Sequence, residues 1–226
     1  MRKLPIICIV FVLLIYDAAA QKIKIGVVAG PAMTSTNKSS NSFTYTDTTR
    51  NHTNRNTNNF SFFGGVVAAI PLSKNIIFKP QLQYIAKGWS INHDFATRPD
   101  YDTKLVSQWI ELPLNFVYTV PAKNGRFFFG LGPYGSYAIS AKIHDDRETG
   151  DREIQFRDPN ETDTVPTANR LDIGANFIAE YEFRNGFFIS LNYSRGFVDF
   201  RNDLDDTRNP ENKNIVVGLG IGFMFK

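Results

Sequence analysis

The chain has 226 residues, of which 42% are hydrophobic, 14% aromatic and 21% charged, with 20 Phe and 9 Tyr against 3 Met. That length fits one domain with a sizeable core, and the aromatic content with only 16 Gly and 11 Pro excludes disordered and collagen-like chains. A net charge of +3 is too weak to argue for a nucleic-acid partner, and a mean hydropathy of -0.23 leaves open where the apolar residues point.

In chain order, Arg2 and Lys3 precede the apolar run Leu4 to Tyr16, and Ala18-Ala19-Ala20 supplies small residues before Gln21. This pattern predicts a cleaved signal peptide over residues 1–20 and a mature domain over 21–226. The run is shorter than the ~20 residues that span a bilayer as a helix. Cys8 is the only cysteine and lies in this segment, so the mature chain is expected to have no disulfide, Cys-ligated metal or thiol nucleophile.

Beyond Gln21 the recurring signal is period-2 alternation, the mark of strands with two unlike faces. Strands are expected at Lys22 to Gly30 and Phe60 to Ile70, with Phe63 and Val67 breaking the second. A third puts Ile76, Phe78, Pro80, Leu82, Tyr84 and Ala86 opposite Ile77, Lys79, Gln81, Gln83, Ile85 and Lys87. A fourth sets Ile110, Leu112, Leu114, Phe116, Tyr118 and Val120 against Glu111, Pro113, Asn115 and Thr119. The fifth, Arg126 to Ser140, is broken by Phe128 and Tyr134. Three regular strands follow, from Leu171, Phe187 and Asn214.

Short connections are expected at 71–75, 121–125 and 184–186, where Asn185-Gly186 favours a tight turn. They alternate with long polar ones at roughly 31–59, 91–105, 141–168 and 198–213. A compact soluble domain rarely carries a long loop at every second connection, whereas a transmembrane barrel does. The fold expected is all-β: an eight-stranded antiparallel up-and-down transmembrane β-barrel with long outer loops and short periplasmic turns.

Trp109-Ile110-Glu111-Leu112-Pro113-Leu114, Phe129-Gly130-Leu131-Gly132-Pro133-Tyr134 and Asn192-Tyr193-Ser194-Arg195-Gly196 carry a resemblance to a known group. The chain resembles the PorT-like small outer-membrane β-barrels of Bacteroidota, with Phe225-Lys226 in place of a terminal aromatic and Gly196-Phe197 where Gly-Leu is frequent. The resemblance implies an outer-membrane location and insertion by the barrel-assembly machinery. PorT itself is associated with secretion of surface proteins, which implies a secretion-system or surface-protein partner.

In such a barrel the apolar face meets outer-membrane lipid and lipopolysaccharide, and the polar face is the lumen. Lys24, Lys79, Lys87, Glu111, Asp172, Glu180 and Glu182 then form a candidate lumen network, an ion-pair core rather than an ion path, because eight strands leave little open cross-section. Aromatics at strand ends (Phe60, Trp89, Trp109, Tyr118, Phe127, Tyr181, Phe183, Phe187 and Phe225) are expected in interface girdles. His52, His93 and His144 fall in expected outer loops, and no catalytic, cofactor or phosphate-binding motif occurs. The expected function is therefore a structural or surface-interaction role with no catalysis, cofactor or metal. A small porin-like channel and an accessory part of a secretion machinery stay open as alternatives.

Overall fold

The computed structural model describes residues 23–36, 43–47, 50–95, 101–146, 150–154, 156, 167–199, 201–202 and 213–225. The expected signal peptide lies outside them. Eight strands form the wall: β1 (Lys24–Thr36), β2 (Arg50–Pro71), β3 (Ile76–Phe95), β4 (Tyr101–Ala122), β5 (Gly125–Asp145), β6 (Leu171–Phe183), β7 (Phe187–Gly196) and β8 (Asn214–Met224). Each pairs antiparallel with its neighbour in sequence, and β1 pairs with both β2 and β8, so the sheet closes on itself. Closure satisfies the backbone within the wall and removes the open edges of the sheet.

Alternation decides what each side of the wall meets. On β5, Phe127, Phe129 and Leu131 are exposed while Phe128, Gly130 and Gly132 are buried, and β6 repeats the pattern from Leu171 to Ile178. Apolar side chains thus point outward along the wall, Leu131 at 67% exposure among the most open, while small, polar and charged ones share the interior with large apolar ones such as Ile85, Val117 and Phe188. The large inward residues that interrupt the apolar pattern, Phe63, Phe128 and Tyr134, are buried lumen fillers. Inward glycines make room for them: a Cβ on Gly174 would lie 2.5 Å from the Tyr134 ring. Large beside small is how a narrow barrel interior is filled.

One end of the barrel is trimmed short. Ala122 pairs directly with Gly125, and Leu72 N donates to Ile76 O at 2.9 Å. The β6–β7 turn has three residues, with Gly186 N donating to Phe183 O at 3.0 Å and Gly186 at φ 91°. A type I turn followed by a left-handed residue is the preferred three-residue hairpin, and only glycine takes that last position without a Cβ clash.

The opposite end departs from expectation. Residues 50–59, 91–95 and 101–105 read as loop yet continue β2, β3 and β4, and Phe43–Asp47 pairs with Arg50–Asn54. The Ser/Thr/Asn-rich stretch therefore forms a hairpin over its described part. Ladder hydrogen bonds need no apolar side chain, and Thr favours strands. Short pairs also join Arg152–Glu153 to β5 and Thr167–Ala168 to Arg201–Asn202.

Aromatics gather outside at the short-turn end: Phe127 and Tyr181 lie 4.7 Å apart, Tyr181 and Phe183 4.7 Å, and Phe183 and Phe187 5.8 Å between ring centroids. Trp89 and Trp109 are corrections to the girdle. Both are buried on the lumen side, in phase with Lys87 and Glu111.

Candidate functional site: the lumen charge network

Near the middle of the barrel, β3 carries Lys87 inward and β4 carries Glu111. Lys87 Nζ lies 2.5 Å from Glu111 Oε2 and 3.6 Å from Asp172 Oδ2 of β6, with all three side chains 3% exposed or less. Gln81 donates to Gln83 Oε1, and Gln83 Nε2 donates to Glu111 Oε1 at 2.8 Å. Tyr134 Oη and Asn214 Nδ2 each donate to Asp172 Oδ2 at 3.0 Å. The Lys87 ammonium sits over two aromatic faces, 5.1 Å from the Trp109 centroid and 4.9 Å from that of Tyr134. Ring quadrupoles there add to the carboxylates in holding one desolvated cation.

A second tier lies nearer the short turns. Lys79 Nζ is 2.5 Å from Glu180 Oε1, and its charge is flanked by the rings of Phe128 and Phe188 at 4.8 and 5.2 Å. Arg126 Nη2 contacts both carboxylate oxygens of Glu182, at 2.9 and 3.1 Å. Lys24, at the rim with its side chain 39% exposed, is 3.8 Å from Glu182 Oε1. Between the tiers, Ser194 Oγ donates to Asn176 Oδ1 at 2.7 Å and Asn176 Nδ2 to Asn115 Oδ1 at 2.8 Å.

Lys79, Lys87, Glu111, Asp172, Glu180 and Glu182 are thus buried in the lumen, and Lys24 closes the rim. The fold brings them together as two clusters separated by an amide–hydroxyl layer. Arg126 and Tyr134 belong to the network and were not among the expected members, although both share parity with the buried Phe128. The cations Lys24, Lys79, Lys87 and Arg126 match the anions Glu111, Asp172, Glu180 and Glu182 in number. Trp109, with no exposed surface, covers the Lys87 tier, its Nε1 donating to Ser107 Oγ at 2.8 Å and Ser107 Oγ donating to Lys87 O at 3.0 Å. Chemically this is a set of charges matched in number and paired by contact, with Asp172 Oδ1 left without a hydrogen-bond partner among the described residues.

The histidines stand apart from it. His144 is exposed on β5, its Nδ1 3.1 Å from Asp151 Oδ1 and its Nε2 3.5 Å from Asp146 Oδ1, while Asp145 is buried. His52 and His93 lie on the paired extensions of β2 and β3.

A closed eight-stranded wall, apolar outside and charged within, defines a membrane barrel. The chain belongs to the outer membrane protein beta-barrel domain family, whose model matches residues 13–202, and the outer membrane is its location. No curated protein matches it. Among solved structures it is similar to Ail of Yersinia pestis, with 13% identity over 91% of this chain and 100% of that one and a TM-score of 0.38. It is also similar to Neisserial surface protein A, with 12% identity over 90% and 97% of the two chains and a TM-score of 0.43. OprG of Pseudomonas aeruginosa gives 12% identity, 89% and 95% coverage and a TM-score of 0.41.

Proposed function

We propose that this chain is a non-catalytic, non-conducting outer-membrane barrel that holds its extended hairpins at the cell surface for interaction with other surface components. The single observation behind the reading is the Lys87–Glu111–Asp172 cluster under Trp109, in which side chains with at most 3% exposure occupy the lumen centre. An ion path needs water beside its charges, and here the charges face one another and aromatic rings. Glu111, Tyr134 and Gly196 come from the motifs that resemble PorT-like barrels. They meet in this cluster, where a Cβ on Gly196 would lie 2.6 Å from Asp172 Oδ1. That convergence supports a PorT-like assignment in which the motifs maintain the barrel interior and partner choice falls to the hairpins. Residues 1–20 are proposed as the export signal, which N-terminal sequencing of the membrane-extracted protein tests directly.

The reading is tested by single-channel recording of the refolded protein in planar bilayers. The expected result is no unitary conductance for the native chain. Steady cation- or anion-selective steps from folded, heat-modifiable protein overturn it in favour of a channel.

A further inference from the structure

Among the described residues the ladder shifts register at two places, between β2 and β3 and between β4 and β5 at Gln108–Trp109, both where the outer face turns from apolar to basic. Between β2 and β3 the pairs run to Asn58–Trp89 and resume at Phe63–Ile85, so β2 advances one residue more than β3. A bulge of this kind interrupts pairing and re-aims the neighbouring side chains. Thr34 and Asn59 patch the gap. Thr34 Oγ1 accepts from Gly88 N at 3.1 Å and donates to Gly88 O at 3.0 Å, and Asn59 Nδ2 donates to Leu105 O at 3.3 Å. Ser61 Oγ, enclosed beside the gap, has no hydrogen-bond partner among the described residues.

A recess of about 290 Å³ opens at this point, walled on the outer face by Phe60, Phe62, Tyr84, Ala86 and Val106. At its loop end stands Lys104, which also lines an adjoining cleft of about 440 Å³ with Lys142 and His144. Lys104 is exposed and makes no ion pair among the described residues, whereas Lys142 is within 3.9 Å of Asp151 and 4.0 Å of Glu153. Lys104 lies four residues loopward of Gln108, about 13 Å along the strand, beyond the exposed apolar run of β4 that begins at Ile110.

We propose that the recess seats one acyl chain of a phosphorylated outer-leaflet lipid, with the lipid phosphate on Lys104. The aromatic walls and the missing rung accept a hydrocarbon chain lying against the barrel. Lys104, exposed and without an ion pair among the described residues, supplies the positive charge that an anionic headgroup requires. Asp151 lines the same cleft but is engaged by Lys142 and His144, which leaves Lys104 as a lining cation with no ion pair among the described residues. The recess straddles the wall, since the inward-phase Thr34, Asn59 and Lys87 also border it, so a chain seated there would cover a thinned part of the sheet.

The test is native mass spectrometry of the folded full-length protein in mild detergent, titrated with diphosphorylated lipid A, dephosphorylated lipid A, phosphatidylethanolamine and palmitate. The expected result is one retained diphosphorylated lipid A. Lys104→Gln should weaken it about fivefold, and Ala86→Phe, which fills the recess from the outer face, should abolish it. Heat-modifiable migration checks that both variants are folded. Equal retention of dephosphorylated lipid A or palmitate overturns the phosphate assignment. Unchanged affinity in both folded variants overturns the site.

Discussion

Replacing Lys87 with Met removes one cation and leaves two carboxylates. Glu111 at 2.5 Å and Asp172 at 3.6 Å would then face each other in a lumen that exposes neither by more than 3%. The thioether nearly conserves the volume, so the perturbation is electrostatic, apart from lost contact with the Trp109 and Tyr134 rings. Removing one partner of a buried pair costs roughly 3–5 kcal/mol, because the remaining charge is uncompensated. With a urea slope of ~2 kcal/mol per molar, the unfolding midpoint should fall by about 2 M. The assay is reversible urea unfolding in lipid vesicles, followed by tryptophan fluorescence, since Trp109 sits 5.1 Å from the lost ammonium. The cycle is closed with Glu111→Leu and the double variant. The double variant should lose less than the sum of the singles, with a coupling of about 1–3 kcal/mol. A Lys87→Met barrel within ~0.5 kcal/mol of the native one would refute the reasoning and indicate a hydrated lumen.

Glu180→Gln should destabilise the turn-end tier by ~3 kcal/mol or more, because Lys79 has Glu180 as its 2.5 Å partner at 1% exposure; the same urea assay reads it. Gly174→Val would put a Cβ 2.5 Å from the Tyr134 ring and 2.2 Å from Arg195 O, and overpacking of about 1–3 kcal/mol should appear as a lower thermal midpoint. Leu219→Arg places a charge on the outward face of β8 and should cost ~2–4 kcal/mol in lipid, while Lys24→Gln at the half-open rim should change stability by less than ~1 kcal/mol.

Alternation makes the wall legible in the sequence. Ile221 and Phe223 against Gly220 and Gly222 can be satisfied only by a sheet with an apolar side and a tightly packed side, and the same holds from Leu171 to Phe183. What escaped was of two kinds. Strand ends beyond the apolar band carry no side-chain signature, so β2 and β4 run further than composition suggests. The second kind is volume. Phe63, Phe128 and Tyr134 look like errors of phase until the glycines on nearby strands are known; Gly174 pairs directly with Tyr134, and a Cβ on Gly218 would meet Phe63 at 3.0 Å. Trp109 was within reach of parity alone, since it shares a face with Glu111, but an aromatic at a strand end draws the eye to the membrane boundary. The partners of Lys79 and Lys87 across the lumen were not legible, because strand phase gives direction and not the neighbour reached 101 residues later.

That separation bears on how the chain enters the membrane. Lys79 and Lys87 arrive on β3, while Glu180 and Asp172 arrive on β6, after the β4–β5 hairpin. A β3–β4 hairpin inserted by itself would carry Glu111 beside Lys87 but would present Lys79 to hydrocarbon without Glu180, at a cost of several kcal/mol. The chain therefore has reason to cross the bilayer with most strands together, around a wet interior that dries only as the last ones seal it. Its slow step should then be the late expulsion of water from between matched charges, rather than the formation of any one hairpin.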